Sequence, residues 1–266
     1  MKHLAPAALS LLLLAGATAC TDVQLDDDVA APSAVEALSG DFSRTLVVAD
    51  KLYGVDETSV VTYDIADRDQ PRFVDRTEVG RAVETIYHHE GNLFIGSRTG
   101  MYIYSISRSG VPVRRGDYQY SSLPGLDVEP CDPVVASRST AYASLYTGDE
   151  VDGCGQDRDI SAIVVLDVSD VDRPYLVQQH DTPTPRGLAI DGDLLFVCHH
   201  RNGLTVFDVS DRENFVELAR VADVEAWDAI AVDGRLVVVA STEVVQYDYS
   251  DPGELVLLSR TDYPGL

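Results

Sequence analysis

The sequence predicts an all-β fold built from five repeated units, and three observations support this prediction. The stretch from residue 184 to residue 222 holds four short apolar runs separated by turn signals, the pattern of a four-stranded antiparallel meander. A short motif at the end of the third run recurs five times, with steps of 41, 62, 41 and 40 residues. One such sheet has two faces to bury and needs copies stacked against it. Periods of about 40 residues with four strands each are typical of a β-propeller, here with five blades.

Each run of the best-defined unit has a local reason to form a strand. The four runs are Leu188–Ile190, Leu194–Cys198, Leu204–Val209 and Phe215–Ala222. Asp191-Gly192 favours a tight hairpin turn because Gly adopts positive φ angles at little cost, and the side chains of Ser210-Asp211 can close a turn on their own backbone. In four units a proline precedes or opens the fourth strand, where no ladder hydrogen bond is yet needed. These prolines are Pro71, Pro112, Pro174 and Pro252.

The recurring motif divides residues 44–263 into five blades. Their bounds are roughly 44–81, 82–121, 130–183, 184–224 and 225–263. The long step exceeds the usual period by about 21 residues, which we place at 121–129 and 148–160, both poor in apolar pattern. Each unit begins on its innermost strand, so we expect no strand to be shared between the first and last blades.

Four of the five motifs carry an aspartate at one position of the third strand. These are Asp64, Asp167, Asp208 and Asp248. A residue present in most blades is expected to stabilise the blade, by accepting backbone or hydroxyl hydrogen bonds at the turn. The segment from residue 167 to residue 172 faintly resembles a calcium loop, but it lacks the Gly and distal Glu of such loops. We therefore predict no metal ion and no cofactor.

The first 19 residues have the features of an export signal. A short basic start is followed by a Leu- and Ala-rich run that is too short to span a membrane, and the run ends in small residues at 17–19. The cysteine that follows, Cys20, resembles the lipobox cysteine of bacterial lipoproteins. The resemblance implies a diacylglycerol on Cys20 and an acylated amino terminus, such as a palmitate, and Thr21 favours sorting to the outer membrane. The alternative is ordinary cleavage after Ala19 that releases a soluble exported protein.

Residues 20–41 are expected to be a flexible acidic tether. They are rich in Asp, Ala, Ser and Val and have little to bury. The whole chain of 266 residues has 44 acidic and 20 basic residues, a net charge of −24. This charge repels phosphate backbones, so nucleic acid is excluded as a partner, and the membrane is approached through the lipid anchor.

Several segments resemble the LVIVD-repeat proteins of bacterial envelopes. The resemblance rests on the segments 131–135, 163–170, 195–198 and 203–211. It extends over nearly all of residues 44–263 and implies a β-propeller without implying a reaction. Many members have a His before the Gly-Leu that opens a blade, whereas this chain has Arg186 before Gly187. This departure leaves no basis for a shared His-dependent site.

Three cysteines besides Cys20 are expected on one face of the disc. When the first strand of a blade is its innermost strand, the beginning of that strand and the loop between the second and third strands lie on the same face of the propeller disc. We call this face the cysteine face. Cys131 and Cys154 both belong there, and a disulfide between them would stabilise the fold by about 3 kcal/mol. Cys198 precedes His199 and His200, but this spacing fits no standard metal motif. A buried Cys198 with a surface His pair is the simpler interpretation.

A candidate binding site is predicted on the cysteine face. It comprises Asp132, Arg186, Cys198, His199, His200, Arg201, Trp227 and Asp228. These residues would form a pocket with an aromatic floor and mixed charge, or would merely plug the central channel.

Two functions would use this face, and a structural envelope role with no specific ligand is a third possibility. The sequence contains no serine elbow, zinc-protease helix, phosphate-binding loop or dinucleotide fingerprint. The first hypothesis is therefore a non-catalytic propeller, tethered to the outer membrane, that binds a protein or extracellular ligand. The alternative is a glycosidase-like envelope hydrolase that uses the carboxylates of Asp132 and Asp228 at the channel mouth.

Overall fold

The computed structural model describes residues 42–123, 133–147 and 160–263, which form twenty strands and one short 3-10 helix, Tyr120–Ser122. Blade 1 contains β1 (Arg44–Val48), β2 (Lys51–Val55), β3 (Ser59–Asp64) and β4 (Arg72–Glu78). Blade 2 contains β5 (Val83–His89), β6 (Asn92–Ser97), β7 (Gly100–Ile106) and β8 (Pro112–Gln119). Blade 3 contains β9 (Val134–Ser137), β10 (Thr140–Tyr146), β11 (Ser161–Asp167) and β12 (Tyr175–Asp181). Blade 4 contains β13 (Leu188–Asp191), β14 (Leu194–Cys198), β15 (Leu204–Asp208) and β16 (Val216–Val221). Blade 5 contains β17 (Ala226–Val232), β18 (Arg235–Ala240), β19 (Glu243–Asp248) and β20 (Val256–Asp262).

The strands of each blade lie in sequence order in one four-stranded antiparallel sheet. The first hairpins turn through the left-handed backbone that the Gly-containing dipeptides predict. Glu90 and Gly91 have φ angles of 47° and 76°, and Asp233 and Gly234 have φ angles of 50° and 75°. In all five blades the register shifts once between the third and fourth strands, a bulge that increases the twist of the outermost strand. The five predicted blades are thus confirmed.

Apolar side chains hold neighbouring blades together. Four clusters join blades 1 and 2, 2 and 3, 3 and 4, and 4 and 5, and Phe94, Leu195 and Phe196 are among their buried members. Burial of such side chains contributes about 1.5–3 kcal/mol each. Blade 5 meets blade 1 through an ion pair, in which Arg44 Nη2 lies 2.7 Å from Asp228 Oδ2. The blades therefore follow one another around a ring, and the described strands share no sheet across this junction.

The innermost strands of all five blades surround a central cavity of about 150 Å³. Its lining includes Arg44, Tyr87, Val135, Ala189 and Ile230, one from each blade. Within the described part of the chain, no helix has the length and apolar character needed to cross a lipid bilayer. The expected signal peptide, the lipidated Cys20 and the tether, residues 1–41, lie outside the described residues.

Candidate binding site

On the cysteine face, the starts of two described first strands lie close to a loop of the preceding blade. The backbone N–H of Val83 donates to the carbonyl of Glu57, and the N–H of His200 donates to the carbonyl of Ala226 at 2.8 Å. Loops between second and third strands therefore lie beside the starts of the next first strands, as the sequence predicted. The candidate site forms at such a junction, between blades 3, 4 and 5.

Trp227 owes its position to a bulge at the start of β17. The register of β17 against β18 shifts between Ala226 and Asp228, so Trp227 is the extra residue of the bulge. Its Nε1–H donates to Ser241 Oγ at 2.9 Å. Its ring lies against the imidazole of His200, with centroids 4.1 Å apart and planes inclined by 40°. Both rings are half-buried, so each keeps an accessible surface.

Arg186 forms the inner part of the same cluster. Its guanidinium carbon lies 3.8 Å from the ring centroid of Tyr146 and 5.6 Å from that of Trp227, and the residue is only 7% exposed. A guanidinium this close to an aromatic face is attracted by the quadrupole of the ring. The backbone of Arg186 is fixed as well, because its N–H donates to the carbonyl of Cys198 at 2.7 Å and its carbonyl accepts from Ser144 Oγ at 2.6 Å.

The close approach of blades 4 and 5 at this cluster requires Gly187. Its N–H donates to the carbonyl of Trp227 at 2.9 Å, a backbone hydrogen bond between two blades. A Cβ atom at this position would lie 2.2 Å from Asp228 Oδ1 and 2.7 Å from the Trp227 carbonyl oxygen. Only glycine therefore lets blade 4 reach blade 5 here.

The carboxylate of Asp228 is already engaged. It accepts a charge-assisted hydrogen bond from Arg44 at 2.7 Å and a backbone hydrogen bond from Ala229 at 2.9 Å. These contacts give it a role in joining blade 5 to blade 1.

The structure brings together four of the predicted site residues, Arg186, His200, Trp227 and Asp228, and Arg201 is exposed on the same loop as His200. The remaining described members of the predicted set, Cys198 and His199, do not lie on an accessible surface. Asp132, Cys131 and Cys154 lie outside the described residues, so the predicted disulfide stays a prediction.

Cys198 and His199 are fully buried, so neither lines an accessible pocket. Burial of Cys198 agrees with the simpler interpretation given above, whereas the expected surface position of His199 is wrong. Cys198 pairs with Leu204 and joins the apolar cluster between blades 4 and 5. It is a free cysteine, and burial raises the pKa of its thiol well above the usual value. Neither side chain can contact a ligand without local unfolding.

His199 is held as a neutral residue inside the loop. Burial lowers the pKa of its imidazole to about 4, although a hydrogen bond with the Pro183 carbonyl opposes this shift. Nδ1 lies 2.7 Å from that carbonyl oxygen, which accepts only from a protonated Nδ1. Among the described residues no three His, Cys, Asp or Glu side chains are placed to bind one metal ion.

Tyr146 belongs to this cluster but is not among the site residues predicted from the sequence. It ends β10, a strand whose seven residues are all buried, and so it is hard to distinguish from ordinary core. Its position at the end of a second strand, on the same face as Trp227, is the signal that could have indicated it.

The fold and this cluster define the class of protein, a five-bladed β-propeller with a cation–aromatic cluster on one face. Residues 185–223 match the family model of the LVIVD repeat. The match covers one blade, the one that carries Arg186 and His200, and it agrees with the resemblance inferred above. No curated protein matches the sequence.

Solved structures with the same architecture include proteins of different activity. A functionally unknown protein from Desulfotomaculum acetoxidans has a TM-score of 0.65 and 12% identity, over 85% of this chain and 71% of that chain. A periplasmic gluconolactonase from Pseudomonas aeruginosa has a TM-score of 0.58 and 15% identity, over 81% and 70%. Virginiamycin B lyase from Staphylococcus aureus has a TM-score of 0.55 and 11% identity, over 83% and 69%. At these identities the likeness concerns the fold alone.

Proposed function

We propose that this chain is a non-catalytic propeller of the bacterial envelope that binds a protein or extracellular ligand on the cysteine face. The observation that carries the proposal is the stack of Tyr146, Arg186, Trp227 and His200, drawn from three blades. Trp, Tyr and Arg are the residues most often found at the energetic centres of binding surfaces. The stack is fixed by backbone and side-chain hydrogen bonds before any ligand arrives, which lowers the entropy cost of binding.

The half-buried rings of Trp227 and His200 suit a planar or apolar group of the ligand. Arg201, exposed on the same loop, adds a positive charge beside them in a strongly acidic protein. An anionic group next to the planar one would therefore be favoured by the local charge.

The chain contains a single Trp, and it stands at this site. Intrinsic fluorescence therefore reports ligand binding without a label. Candidate envelope proteins and ligands are titrated into the wild-type chain, and each partner is then tested by pull-down with Trp227→Ala. Tyr175→Ala is the control, since Tyr175 is an exposed aromatic residue on the outermost strand of blade 3. Partners retained by Tyr175→Ala and lost by Trp227→Ala support the proposal. If Trp227→Ala still captures every partner that the wild-type chain captures, the proposed binding site is wrong.

We propose further that a lipid on Cys20 tethers the propeller to the outer membrane. Two or more acyl chains, at about 0.8 kcal/mol per buried methylene, anchor a protein stably, whereas one chain gives marginal binding. Intact mass spectrometry of the membrane fraction tests this. The expected mass corresponds to a chain that begins at Cys20 and carries acyl groups, and an unmodified amino terminus would exclude the anchor. Alkylation before and after reduction tests the disulfide between Cys131 and Cys154 in the same sample.

An envelope hydrolase is the second candidate, favoured by the likeness in fold to a gluconolactonase and a lyase. It would use the carboxylates of Asp132 and Asp228. Asp228 would first have to release Arg44, because that ion pair holds its carboxylate. The test compares wild type with Asp228→Asn on panels of lactones and glycosides. Turnover that depends on Asp228 would establish the hydrolase and overturn the non-catalytic proposal.

A further inference from the structure

The junction between blades 5 and 1 differs from the other four junctions. Apolar clusters fill those four, whereas the described residues here contribute the Arg44–Asp228 ion pair and a set of exposed apolar side chains. On blade 5, Ile230 is 60%, Val232 49% and Val239 36% exposed. Ile230 and Val232 alternate along β17, and Val239 lies opposite Asp228 on β18, so all three share one face of the sheet. The opposite face of blade 5 packs on blade 4.

The side of blade 1 that faces blade 5 carries the first described residues of the chain. Val47 is 58% exposed on this side, and Gly54 lies on the same face, opposite Thr45. The ring of Phe42 covers Gly54, because a Cβ there would lie 2.8 Å from Phe42 Cδ1. Ser43 donates to the Val55 carbonyl through its N–H at 2.9 Å and through its Oγ at 3.2 Å. Phe42, the first described residue, therefore lies at this junction.

We propose that residues 34–41 pack into the junction between blades 5 and 1. This segment supplies the apolar residues Val35, Ala37 and Leu38, directly before Phe42. Eight extended residues span about 26 Å, enough to follow the whole of β17. Their apolar side chains cover Ile230, Val232 and Val239 and complete the ring where the described residues leave an uncovered sheet face. The tether that carries the proposed lipid then comprises residues 20–33. This inference is independent of the ligand proposed for the cysteine face.

The test is made in the full chain with Leu38→Asp and with Val29→Asp as its matched control, since each places one charge on an apolar position before Phe42, the first inside residues 34–41 and the second outside them. Leu38→Asp is expected to increase amide hydrogen exchange of β17 and β18 about tenfold, with β10 and β11 unchanged as internal reference. It should also lower the melting temperature by about 3 °C. Val29→Asp should leave both at the wild-type values.

A third variant, Ile230→Ser, shows whether Leu38 acts through this face. If the two side chains share one packed junction, the effects of Leu38→Asp and Ile230→Ser on the melting temperature are not additive. Additive effects, or equal exchange in Leu38→Asp and Val29→Asp, would overturn the proposal. A wild-type dimer in sedimentation that Ile230→Ser dissociates and Leu38→Asp leaves intact would also overturn it, because the occupant would then be a second copy.

Discussion

The repeated aspartates stabilise the turn that follows each third strand. Asp64, Asp208 and Asp248 each accept a hydrogen bond from the N–H two residues further on, at 2.8–3.0 Å. Asp167 does the same with Ser169 and also accepts from the Ser169 hydroxyl and the Arg212 guanidinium. The expected structural role is confirmed, and none of these carboxylates belongs to the candidate binding site.

Asp167→Asn should destabilise the fold by about 2 kcal/mol at neutral pH. Burial of this carboxylate opposes its ionisation, but the hydrogen bonds from Ser169 and Arg212 outweigh burial and lower its pKa to about 2. A lowered pKa contributes stability that is fully present above the unfolded value near pH 4 and is lost as pH falls toward 2. Urea unfolding measures the loss. Asp208→Asn is the control, expected to lose much less because Asp208 is solvated; equal losses would contradict this account.

His199 should make the protein sensitive to mild acid. Its pKa is about 4 in the folded state and near 6.5 when unfolded, so the unfolded chain binds more protons between these values. Stability therefore falls as pH decreases from 6.5 toward 4, by about 2 kcal/mol between pH 7.5 and pH 5. Urea unfolding of wild type and His199→Asn at both pH values measures the difference. The variant should have a flatter profile, and an equally steep one would show that other groups titrate.

At the scale of strands and turns, much could be predicted from local sequence. The apolar runs of blade 4 agree with β13 to β16 within one residue at each end, because alternation and turn residues act over short distances. The binding cluster was only partly predictable. The stacking of Trp227 on His200 depends on a bulge and on a left-handed His200, with φ 51°, and on the meeting of two blades. A buried Cys198 could be expected at the end of an apolar strand, but the burial of His199 depends on tertiary packing that residues 198–200 do not encode.

Gly203→Ala should cost at least about 2 kcal/mol. Gly203 has a φ of 90°, and an added Cβ would lie 2.0 Å from the carbonyl oxygen of Val221, so backbone must move. Gly91→Ala is the matched control: it also has a positive φ, 76°, but open space around the Cβ, and should cost about 1 kcal/mol. Thermal unfolding compares the melting temperatures of the two variants. Equal decreases would show that the strain of the positive φ angle alone sets the cost of each substitution. Gly203 ends the loop that carries His200, and the His200 ring lies against Trp227. The fluorescence of Trp227 should therefore change in Gly203→Ala but not in Gly91→Ala.

Across the whole molecule, the net charge of −24 predicts that salt stabilises the fold. The described ion pairs are mostly exposed and individually contribute at most about 1 kcal/mol, so screening them costs little. Repulsion among excess carboxylates extends over the surface and is screened when the Debye length falls to about 10 Å at 0.1 M salt. The melting temperature should rise by several degrees between about 10 mM and 200 mM NaCl. A lower melting temperature at the higher NaCl concentration would mean that ion pairs such as Arg44–Asp228 stabilise the fold by more than the repulsion among carboxylates destabilises it.

Each described blade is formed by four consecutive strands of the chain, and none of these strands pairs with a strand of another blade. Tandem copying of a gene segment between two blade junctions therefore encodes one more complete sheet, and loss of such a segment removes one. Neither event changes a strand pairing inside the other sheets. Ring size in this architecture can thus evolve in whole steps, with selection acting only on the fit between the first blade and the last.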